Sequence, residues 1–407
     1  MNITFFCATF PVASETFILN QIIAFIKMGH NVRILALYPG DMNFVHEDFL
    51  EYKLKEKVDY VFSSNVTSHG KFKVLKERLS HSIKCLTPNK VKAFNVLKYG
   101  HLSHTLYLPS IIGGINSKYQ ADYFIAHFGT CGAIANSLRD LGVLNGKLIT
   151  VFHGFDISIK EILSRYKKQY DNLFVEGDLF LPISHLWKDK MVSLGCDSKK
   201  IEVIRMGIHV DEFLYKKRST GEILDIVSVC RLIEKKGIEY AIRACLILKN
   251  KNIPFKYTIV GYGPLELDLR ALINELGLSD SVTITGFQSQ SNVKAILDKS
   301  NVFVLPSITS ENGDMEGIPV ALMEAMANGL AVVSTYHSGI PELIENNISG
   351  FLCDERSVEQ ISDRLVFIFN NPQFVLESTV NARKKIEEGF NIGVEYNKMN
   401  LLMEKNL

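Results

Sequence analysis

The chain has 407 residues, of which 47% are hydrophobic and 22% are charged. At about 100–200 residues per domain, this length predicts two or three domains with full apolar cores, and the composition excludes disorder, collagen and coiled coil as descriptions of the whole. The net charge of +1 argues against a nucleic-acid partner. Residues 1–215 hold 25 Lys and Arg against 20 Asp and Glu, whereas residues 216–407 hold 20 against 24, so the two halves are expected to meet different partners.

The seven cysteines are widely spaced and odd in number, and no Cys-x-x-Cys occurs. This pattern predicts isolated thiols in a reducing cytoplasm rather than a disulfide framework or a zinc site. The apolar start reaches Pro11 and Glu15 without a basic segment, which predicts a first strand rather than a signal peptide. No run approaches the ~18 apolar residues of a membrane span. We therefore expect a cytoplasmic protein, with peripheral attachment to the inner face of the membrane left open.

Short apolar runs alternate with amphipathic segments along the chain. The predicted strands are Ile3–Phe6, Val32–Leu37, Tyr123–Ala126, Leu148–Phe152, Leu179–Ile183, Asp225–Val229, Tyr257–Val260, Val282–Thr285, Val302–Leu305 and Ala331–Ser334. The predicted helices are Phe17–Lys27, Gly237–Lys249, Leu265–Leu276, Asn292–Lys299 and Pro319–Asn328. Such alternation is typical of parallel sheets covered by helices on both faces. The sequence thus predicts an α/β protein with two doubly wound, Rossmann-like domains whose facing strand ends form a cleft.

The most informative stretch runs from Asp314 to Gly329. Pro319 suits a first helical turn and Gly329 suits a left-handed helix stop. Glu316 then lies just before the helix and Glu324 lies inside it. The helical rise places the two carboxylates roughly 10–12 Å apart, about the span from a sugar ring to a ribose across a diphosphate. The competing interpretation is a solvated glutamate beside an ordinary helix.

Groups that suit a diphosphate occur at two places. The free N–H groups of Gly317, Ile318 and Val320 at the helix start would form an anion site. Arg231 and Lys236 follow the strand Asp225–Val229, where Arg could act as a fork and Lys as a point charge. Basic residues in a loop are usually only solvated. From the residues alone, a diphosphate site and ordinary solvated side chains are therefore both open interpretations.

Gly261 and Gly263 follow the next predicted strand. A Gly-x-Gly there permits close approach of the backbone to a ligand, but Glu266 stands where the third glycine of a dinucleotide fingerprint would be. A nicotinamide dehydrogenase is therefore disfavoured. No Asp-x-Asp, the usual carboxylate pair of a metal–diphosphate clamp, occurs in the sequence. We accordingly expect neither a metal ion nor another cofactor.

Two histidines end strands of the first half. A lone histidine at a strand end is more often structural than catalytic. His127 and His153 stand at the carboxyl ends of neighbouring predicted strands, which makes a functional role an equal alternative. The loop after the first strand holds Ser14, a natural cap for a helix beginning at Glu15. Ser14, Glu15 and His127 are therefore candidate ligand contacts at this edge of the first sheet.

A basic segment interleaved with apolar residues lies between Lys71 and Lys98. Its basic residues are Lys71, Lys73, Lys76, Arg78, Lys84, Lys90, Lys92 and Lys98, and only Glu77 is acidic. Such mixing can form an amphipathic basic face that attaches to anionic lipid. A solvated helix pair whose apolar side packs on the first domain is the competing interpretation.

These residues together resemble the retaining glycosyltransferases of family 4. Glu316 to Glu324 matches the E-x7-E signature of that family, and Arg231 with Lys236 matches its Arg…Lys-Gly element. Further matches are Met206–Phe213, with Met206 in place of the usual Asn, and the turn Ser338–Glu342. The opening Phe10-Pro-Val-Ala-Ser-Glu-Thr-Phe-Ile is most similar to transferases of bacterial exopolysaccharide synthesis, of the colanic-acid type.

The resemblance implies a GT-B architecture with an acceptor-binding domain over residues 1–215, a nucleotide-sugar-binding domain over 216–385 and a final helix, 386–407, that crosses back. It implies metal-independent transfer of a hexosyl unit, with retention, from a nucleoside-diphosphate sugar to a saccharide acceptor, expected to be linked to polyprenyl diphosphate. Arg231 and Lys236 would bind the diphosphate, and Glu324 the ribose. Glu316 and His153 would contact the transferred sugar.

The same resemblance implies that Gly317 and Ile318 offer amides to the sugar or phosphate and that Gly261 and Gly263 lie near the nucleotide. Ser14, Glu15 and His127, in the first domain, would lie on the acceptor side. The loop after the first strand departs from members of the family that have Gly-Gly there. A sugar-nucleotide epimerase, a glycan phosphorylase and a nucleotide-sugar-binding protein without turnover are the alternatives that stay open. Uridine and guanosine diphosphate donors are both compatible with the sequence.

Overall fold

The fold is described here from a computed structural model, over residues 1–12, 15–41, 47–63, 71–85 and 90–405. Its strands are β1 (Asn2–Phe10), β2 (Asn31–Pro39), β3 (Val58–Tyr60), β4 (Tyr119–His127), β5 (Leu144–Phe152), β6 (Leu179–Pro182), β7 (Leu224–Val229), β8 (Phe255–Val260), β9 (Val282–Gly286), β10 (Val302–Val304), β11 (Ala331–Thr335) and β12 (Phe351–Cys353).

The helices that separate these strands cover most of the remaining described residues. They are α1 (Thr16–Lys27), α2 (Glu47–Glu51), α3 (Lys71–Ile83), α4 (Val96–Tyr99), α5 (His101–His104), α6 (Tyr107–Gly114), α7 (Gly129–Asp140), α8 (Phe155–Ser158), α9 (Lys160–Glu176), α10 (His185–Ser193), α11 (Ile238–Asn250), α12 (Glu266–Glu275), α13 (Gln290–Lys299), α14 (Val320–Ala327), α15 (Ile340–Leu343), α16 (Val358–Asn370), α17 (Pro372–Gly389) and α18 (Ile392–Lys405). Short 3-10 helices lie at Leu54–Glu56, Val91–Phe94, Ser198–Lys200, Val210–Glu212 and Glu234–Lys236.

The chain forms two compact units. The first comprises residues 1–183, 187–204 and 396–407, and the second comprises residues 184–186 and 205–395. The chain thus passes between the units near residues 204 and 395, about ten residues from the predicted boundaries at 215 and 385. The last turns of α18 belong to the first unit, where the Tyr123 hydroxyl donates a hydrogen bond to the carbonyl of Met403 at 2.7 Å.

The sheet of the first unit is parallel throughout, in the order β3-β2-β1-β4-β5-β6. Its central strands are apolar and buried on both faces, as residues 3–7 and 123–126 show, because helices cover the sheet on each side. The strand order reverses between β1 and β4. In such sheets the crevice at this point, outside the carboxyl ends of the strands, is where ligands bind.

The second unit repeats the arrangement. Its parallel sheet has the order β12-β11-β10-β7-β8-β9, which reverses between β7 and β10. The core lies between this sheet and its helices and includes fully buried Leu224, Phe303, Leu322, Met323 and Phe351. The predicted pair of doubly wound, Rossmann-like α/β units is therefore confirmed.

All ten predicted strands are present, and two edge strands, β3 and β12, were not predicted. Each has three residues, too few to show a period of two. The predicted helices are also present. Pro319, however, is the N-cap of α14, with φ −64° and ψ 121°, and not a residue of its first turn. Its extended ψ keeps it outside the helix, which begins at Val320.

All seven cysteines are free thiols, and only Cys230 is partly exposed. None of the helices in the described part of the chain combines the length and apolar character needed to cross a bilayer.

Candidate active site

In the second unit, the loop after β7 carries Arg231 and Lys236. Arg231 is exposed, and Lys236 ends a 3-10 helix that Gly237 closes with a left-handed backbone, φ 62°. A Cβ at Gly237 would lie 2.0 Å from the carbonyl oxygen of Pro306, so the close approach of the loop to the residues after β10 requires glycine. This contact brings the basic loop beside the segment that precedes α14.

Lys236 is paired with Glu316. Its Nζ lies 2.7 Å from Glu316 Oε1, and both side chains are largely buried, 13% and 9% exposed. Burial alone would raise the pKa of Glu316, but Lys236 and the neighbouring Lys235 outweigh it and lower that pKa. Lys235 is itself held by Asp314, with Nζ 3.0 Å from Oδ1. The loop therefore keeps a buried carboxylate charged.

The backbone of Glu316 is fixed from behind by His337. The Glu316 amide donates to His337 Nε2 at 3.0 Å, so Nε2 is unprotonated and Nδ1–H donates to Glu355 Oε1 at 2.6 Å. Burial lowers the pKa of His337, in keeping with a neutral ring. The Ser338 hydroxyl donates to the Glu316 carbonyl at 2.5 Å. The bonds to His337 and Ser338, with Glu355 holding the His337 ring, thus fix the backbone from which the Glu316 side chain extends.

Helix α14 begins with free amides. Within the described residues, the N–H groups of Gly317, Ile318 and Val320 donate to no protein acceptor. Unpaired amides at a helix start form an anion site. Glu324 lies one turn further along α14, and burial, followed by the nearby Glu212 carboxylate, raises its pKa to about 7.

Gly261 and Gly263 have a role that the sequence did not indicate. A Cβ would lie 1.8 Å from the Cys230 carbonyl oxygen at Gly261 and 2.4 Å from that of Leu232 at Gly263. The two glycines therefore let the loop after β8 pack against the residues on either side of Arg231. Their close approach is to protein backbone, and through it they hold the Arg231 loop in place.

In the first unit, His127 and His153 meet at the ends of β4 and β5. His127 Nδ1 lies 2.9 Å from His153 Nε2, and His127 Nε2 lies 2.9 Å from Gln21 Oε1. Burial lowers the pKa of His127 to about 3. Burial, with the nearby His127 ring, also holds the pKa of His153 well below its usual range. Both rings are therefore neutral at physiological pH.

A pocket of about 430 Å³ in the second unit lies between α11 and α12 and contains none of the predicted site residues. A pocket of about 310 Å³ in the first unit does contain two of them, Glu15 and His127. The remaining lining comes from β1, α1, α7 and α8 and their connections: Cys7, Ala8, Thr9, Val12, Ile18, Phe128, Thr130, Cys131 and Phe155. Burial raises the pKa of Glu15 to about 7.

Helix α1 begins at Thr16, one residue later than expected, with Glu15 as its N-cap. Ser14, the expected cap, lies outside the described residues. The predicted catalytic pair, His153 and Glu316, is divided between the two units, so each is described within its own unit. No cluster of three or more metal-binding side chains is found in the part of the chain that the structure describes.

Sequence reasoning missed several residues that organise these sites. Asp156 is fully buried and accepts hydrogen bonds from the amides of Gly129, His153 and Gly154, at 2.7, 3.1 and 2.9 Å. Its proximity to His153 in the segment Thr150–Asp156 was the available signal. No sequence signal pointed to Gln21, His337 or Glu355, because their hydrogen-bond partners are distant in the sequence.

The comparisons with known proteins agree with this geometry. Residues 211–388 match the family described as "Glycosyl transferases group 1". The chain is 45% identical to the amylovoran biosynthesis glycosyltransferase AmsK of Erwinia amylovora, over 100% of both chains. It is also 45% identical to WcaL of Escherichia coli, named as a colanic acid biosynthesis glycosyltransferase, over 96% of both chains.

Two solved structures share the fold. Anabaena HepE, in complex with UDP, has a TM-score of 0.71 and 15% identity, with 100% of both chains covered. The lipopolysaccharide outer core galactosyltransferase WaaB has a TM-score of 0.69 and 18% identity, also over 100% of both chains. The fold is thus GT-B, as the resemblance implied. Because the chain is 45% identical to AmsK over its full length and residues 211–388 match the family, the chain belongs to the group 1 glycosyl transferases.

Proposed function

We propose that this protein transfers a hexosyl unit from a nucleoside-diphosphate sugar to a saccharide acceptor, with retention of the anomeric configuration and without a metal ion. Glycosyl transfer itself follows from the family. The observation that carries the finer proposal is the paired Lys236 and Glu316 beside the free amides at the start of α14. Cation, carboxylate and amides are the groups that a diphosphate and a sugar require.

The diphosphate is assigned to Arg231, Lys236 and the amides of Gly317, Ile318 and Val320. As the nucleoside diphosphate leaves, negative charge builds on its phosphates, and these fixed positive groups stabilise that charge as a metal ion otherwise would. Lys236 must then share its ammonium between Glu316 and the phosphate. Arg231 is exposed and, among the residues that the structure describes, has no buried carboxylate to leave, so its guanidinium reaches the phosphate at lower cost.

The rest of the donor is assigned to two carboxylates and a glycine loop. Glu316 accepts hydrogen bonds from hydroxyls of the transferred sugar, and Glu324 accepts them from the ribose. The loop of Gly261 and Gly263, packed against the Arg231 loop, borders the nucleotide. These groups do not distinguish one base or one sugar from another, since none of them is assigned to a base edge.

The pocket of the first unit is assigned to the acceptor saccharide. Its volume of about 310 Å³ suits a sugar ring, and its polar groups are neutral or weakly acidic. Glu15 and Thr130 offer hydrogen-bonding atoms to hydroxyls. His127 forms part of the pocket wall, and its two ring nitrogens are already bonded to His153 and Gln21. Ser14 is retained as an acceptor-side residue by its position beside Glu15 alone.

Retention is proposed to follow from departure and attack on the same face of the sugar. Glu316, the carboxylate assigned to the transferred sugar, is paired with Lys236 and so is not a free nucleophile. A double displacement would need a free carboxylate near the anomeric carbon. Glu316 and a neutral His153 would orient the sugar while positive charge develops on it.

The biological acceptor is proposed from the relatives. AmsK and WcaL are named for amylovoran and colanic acid biosynthesis, so this protein is assigned to bacterial surface polysaccharide synthesis. The proposed acceptor in that synthesis is a saccharide linked to polyprenyl diphosphate.

Peripheral attachment to an anionic membrane, from the cytoplasmic side, is supported by helix α3. Phe72 and Ile83 are 90% and 67% exposed, and Leu75 and Leu79 lie between them on the same helical face at 48% and 47%. An apolar stripe of this kind, flanked by exposed Lys73 and Lys76, suits a bilayer interface rather than water.

Three of the eight predicted basic residues are engaged in contacts within the protein. Arg78 donates to the Thr105 carbonyl at 3.0 Å, and Lys98 pairs with Asp140 at 2.6 Å. A third, Lys90, donates to two backbone carbonyls at 3.1 Å. The contribution of about 1 kcal/mol per basic residue at an anionic surface therefore applies to the exposed lysines, not to all eight.

Sedimentation with liposomes tests the attachment. The protein is expected to sediment with anionic vesicles at low salt and to be released by high salt, because screening shortens the attraction. A Lys73→Glu and Lys76→Glu double variant should stay in solution, whereas a Lys167→Glu and Lys168→Glu control on α9 should sediment like the parent. A parent that ignores anionic vesicles at low salt contradicts the attachment.

Transfer assayed in excess EDTA tests the function. Purified protein, a panel of uridine and guanosine diphosphate sugars and lipid-linked saccharide extracted from a producing strain should give a glycosylated lipid whose new linkage has the donor's anomeric configuration by NMR. An inverted linkage overturns retention, and magnesium-restorable loss in EDTA overturns metal independence. Conversion of the nucleotide sugar without acceptor would indicate an epimerase instead, and a pyridoxal-phosphate absorption band would indicate a phosphorylase.

A further inference from the structure

A chain of hydrogen bonds in the first unit leads from the C-terminal helix to His153. Gln21 Nε2 donates to Met399 Sδ on α18 at 3.4 Å, and Gln21 Oε1 lies 2.9 Å from His127 Nε2. His127 Nδ1 in turn lies 2.9 Å from His153 Nε2. Gln21 and His127 are 4% and 3% exposed. The chain of hydrogen bonds thus connects buried groups with His153, a residue of intermediate exposure.

The direction of this chain is fixed at its far end. A thioether sulfur has no proton and can only accept, so the amide nitrogen of Gln21 faces Met399 and its oxygen faces His127. That oxygen must accept, which places the proton of His127 on Nε2. A neutral His127 then has an unprotonated Nδ1, and the proton between the two rings must come from Nε2 of His153.

We propose that Gln21 is a positioning residue that holds His153 in the Nε2–H tautomer, so that its Nδ1 is offered as a hydrogen-bond acceptor to a ligand hydroxyl. The assignment of that hydroxyl to the transferred sugar rests on the proposed function. Within the described residues, Nδ1 of His153 has no hydrogen-bond partner. An acceptor nitrogen selects a hydroxyl and rejects a phosphate oxygen, which has no proton to give.

The surroundings of the two rings favour one fixed arrangement. Phe5 stacks on His127 with an interplanar angle of 10°, and Phe17 and Phe128 pack on His153 with centroids 4.7 and 4.8 Å away. These apolar faces keep water away from the inter-ring hydrogen bond and disfavour a charged imidazolium.

Helix α18 also holds α1, the helix that carries Gln21. The Tyr396 hydroxyl donates to the Phe17 carbonyl at 3.3 Å, four residues before Gln21 on the same face. The His153 ring is thereby connected through Phe17 and Gln21 to the C-terminal helix. An imidazolium would oppose the positive charge that develops on the transferred sugar, whereas a neutral ring that offers a lone pair does not.

Nitrogen NMR of the protein labelled with [15N]histidine tests the tautomer directly. Long-range proton–nitrogen correlation distinguishes protonated from unprotonated ring nitrogens, and spectra of His127→Asn and His153→Asn assign the two rings by the loss of their signals. The expected result is that Nε2 is protonated and Nδ1 unprotonated in both rings. A protonated Nδ1 on His153 overturns the proposal, whatever the activity.

Three variants separate positioning from stability. Gln21→Met removes the acceptor for His127 and should mix the tautomers of His153 and lower the transfer rate at saturating donor about 3- to 10-fold, the effect of one hydrogen bond. Gln21→Glu places a carboxylate beside His127 and should favour its imidazolium, whose Nδ1–H then donates to His153 Nε2. This variant should therefore shift His153 to the Nδ1–H tautomer and lower the rate as Gln21→Met does. Gln169→Met, at a buried glutamine on α9 that is 3% exposed, is the matched control and should keep both.

The remaining outcomes are distinct. If Gln21→Met keeps both the His153 tautomer and the transfer rate of the parent, the positioning role is wrong. If the tautomer is as proposed but His153→Ala transfers at the parent rate, the hydrogen-bond chain stands and the assignment of His153 to the sugar fails.

Discussion

The two units share a strand order but differ in the charge of the groups at the point where that order reverses. In the first unit, burial lowers the pKa values of His127 and His153 and raises that of Glu15 to about 7, so these groups are neutral or nearly so. In the second, Glu316 is buried as deeply, yet its pKa is lowered, because Lys236 is paired with it.

The difference shows what burial does with and without a partner of opposite charge. An isolated buried group gives up its charge, whereas a buried pair keeps both charges. Neutral groups suit the hydroxyls of a saccharide, and fixed charges suit a diphosphate. One architecture therefore supports two kinds of ligand chemistry through the partners that its loops supply.

The largest effects are expected at the basic loop of the second unit. Arg231→Ala and Lys236→Ala should each weaken binding of a nucleoside diphosphate by about 1.5–3 kcal/mol, or roughly 10- to 150-fold, through loss of a charge-assisted hydrogen bond. Isothermal titration calorimetry measures this loss. The two variants should differ in stability, because only Lys236 neutralises a buried carboxylate.

Lys236→Ala should lower the free energy of unfolding by about 3 kcal/mol, since it leaves Glu316 buried without its closest cation. The double variant with Glu316→Gln should recover that stability but not the nucleotide binding. Equal binding by the parent and both single variants would contradict the diphosphate assignment. Equal stability of Lys236→Ala and the parent would contradict the pairing.

A smaller effect is expected at Asp156 in the first unit. In Asp156→Asn the side-chain oxygen can still accept from the amides of His153 and Gly154, but the new NH2 group faces the Gly129 amide, which is also a donor. The substitution should therefore lower the free energy of unfolding by about 1–3 kcal/mol. The matched control is Asp122→Asn. Asp122 accepts a single, exposed hydrogen bond from the Asn2 amide, so this substitution should change the free energy of unfolding by less than about 0.5 kcal/mol. Denaturant unfolding distinguishes them, and equal losses would contradict a special role for Asp156.

Glu324 departs from the contrast between the units, because it lies in the second unit and its pKa is raised to about 7. Ribose hydroxyls donate to the carboxylate, so binding should favour the deprotonated form and strengthen as the pH rises through 7. A nucleotide sugar is the right ligand, because its diphosphate diester does not titrate in this range. As the pH falls below this pKa, the dissociation constant should rise by at most about tenfold per pH unit.

Glu324→Gln should remove this pH dependence while keeping the size and an acceptor oxygen of the side chain. A dissociation constant of the parent that is flat between pH 6 and pH 8 would contradict the assignment of Glu324 to the ribose.

The regular elements were largely predictable from the sequence, because their signals are local. Buried parallel strands such as β1 and β7 are continuous apolar runs, and α1 and α11 have clear helical periods and stops. The exceptions are β3 and β12, three-residue edge strands whose formation depends on the neighbouring strand rather than on a pattern of their own.

The site residues were predictable where a motif collects them. Glu316, Glu324, Arg231 and Lys236 stand at fixed spacings after two strands. The ion pair between Lys236 and Glu316 was not predictable, because 80 residues separate the partners in the sequence. The same holds for Gln21 with His127, which meet only when α1 and β4 pack together, and the glycines at 261 and 263 proved to contact protein backbone.

The central claim is that the second unit binds a nucleotide sugar through fixed positive groups and not through a metal ion. Thermal unfolding with a panel of uridine and guanosine diphosphate sugars, in excess EDTA, tests it most directly. The account predicts that at least one donor at about 100 times its dissociation constant raises the free energy of unfolding of the parent by ~2.7 kcal/mol. An Arg231→Ala variant at the same donor concentration should gain far less. A parent that no member of the panel stabilises in EDTA, or that is stabilised only when magnesium is restored, would contradict the account.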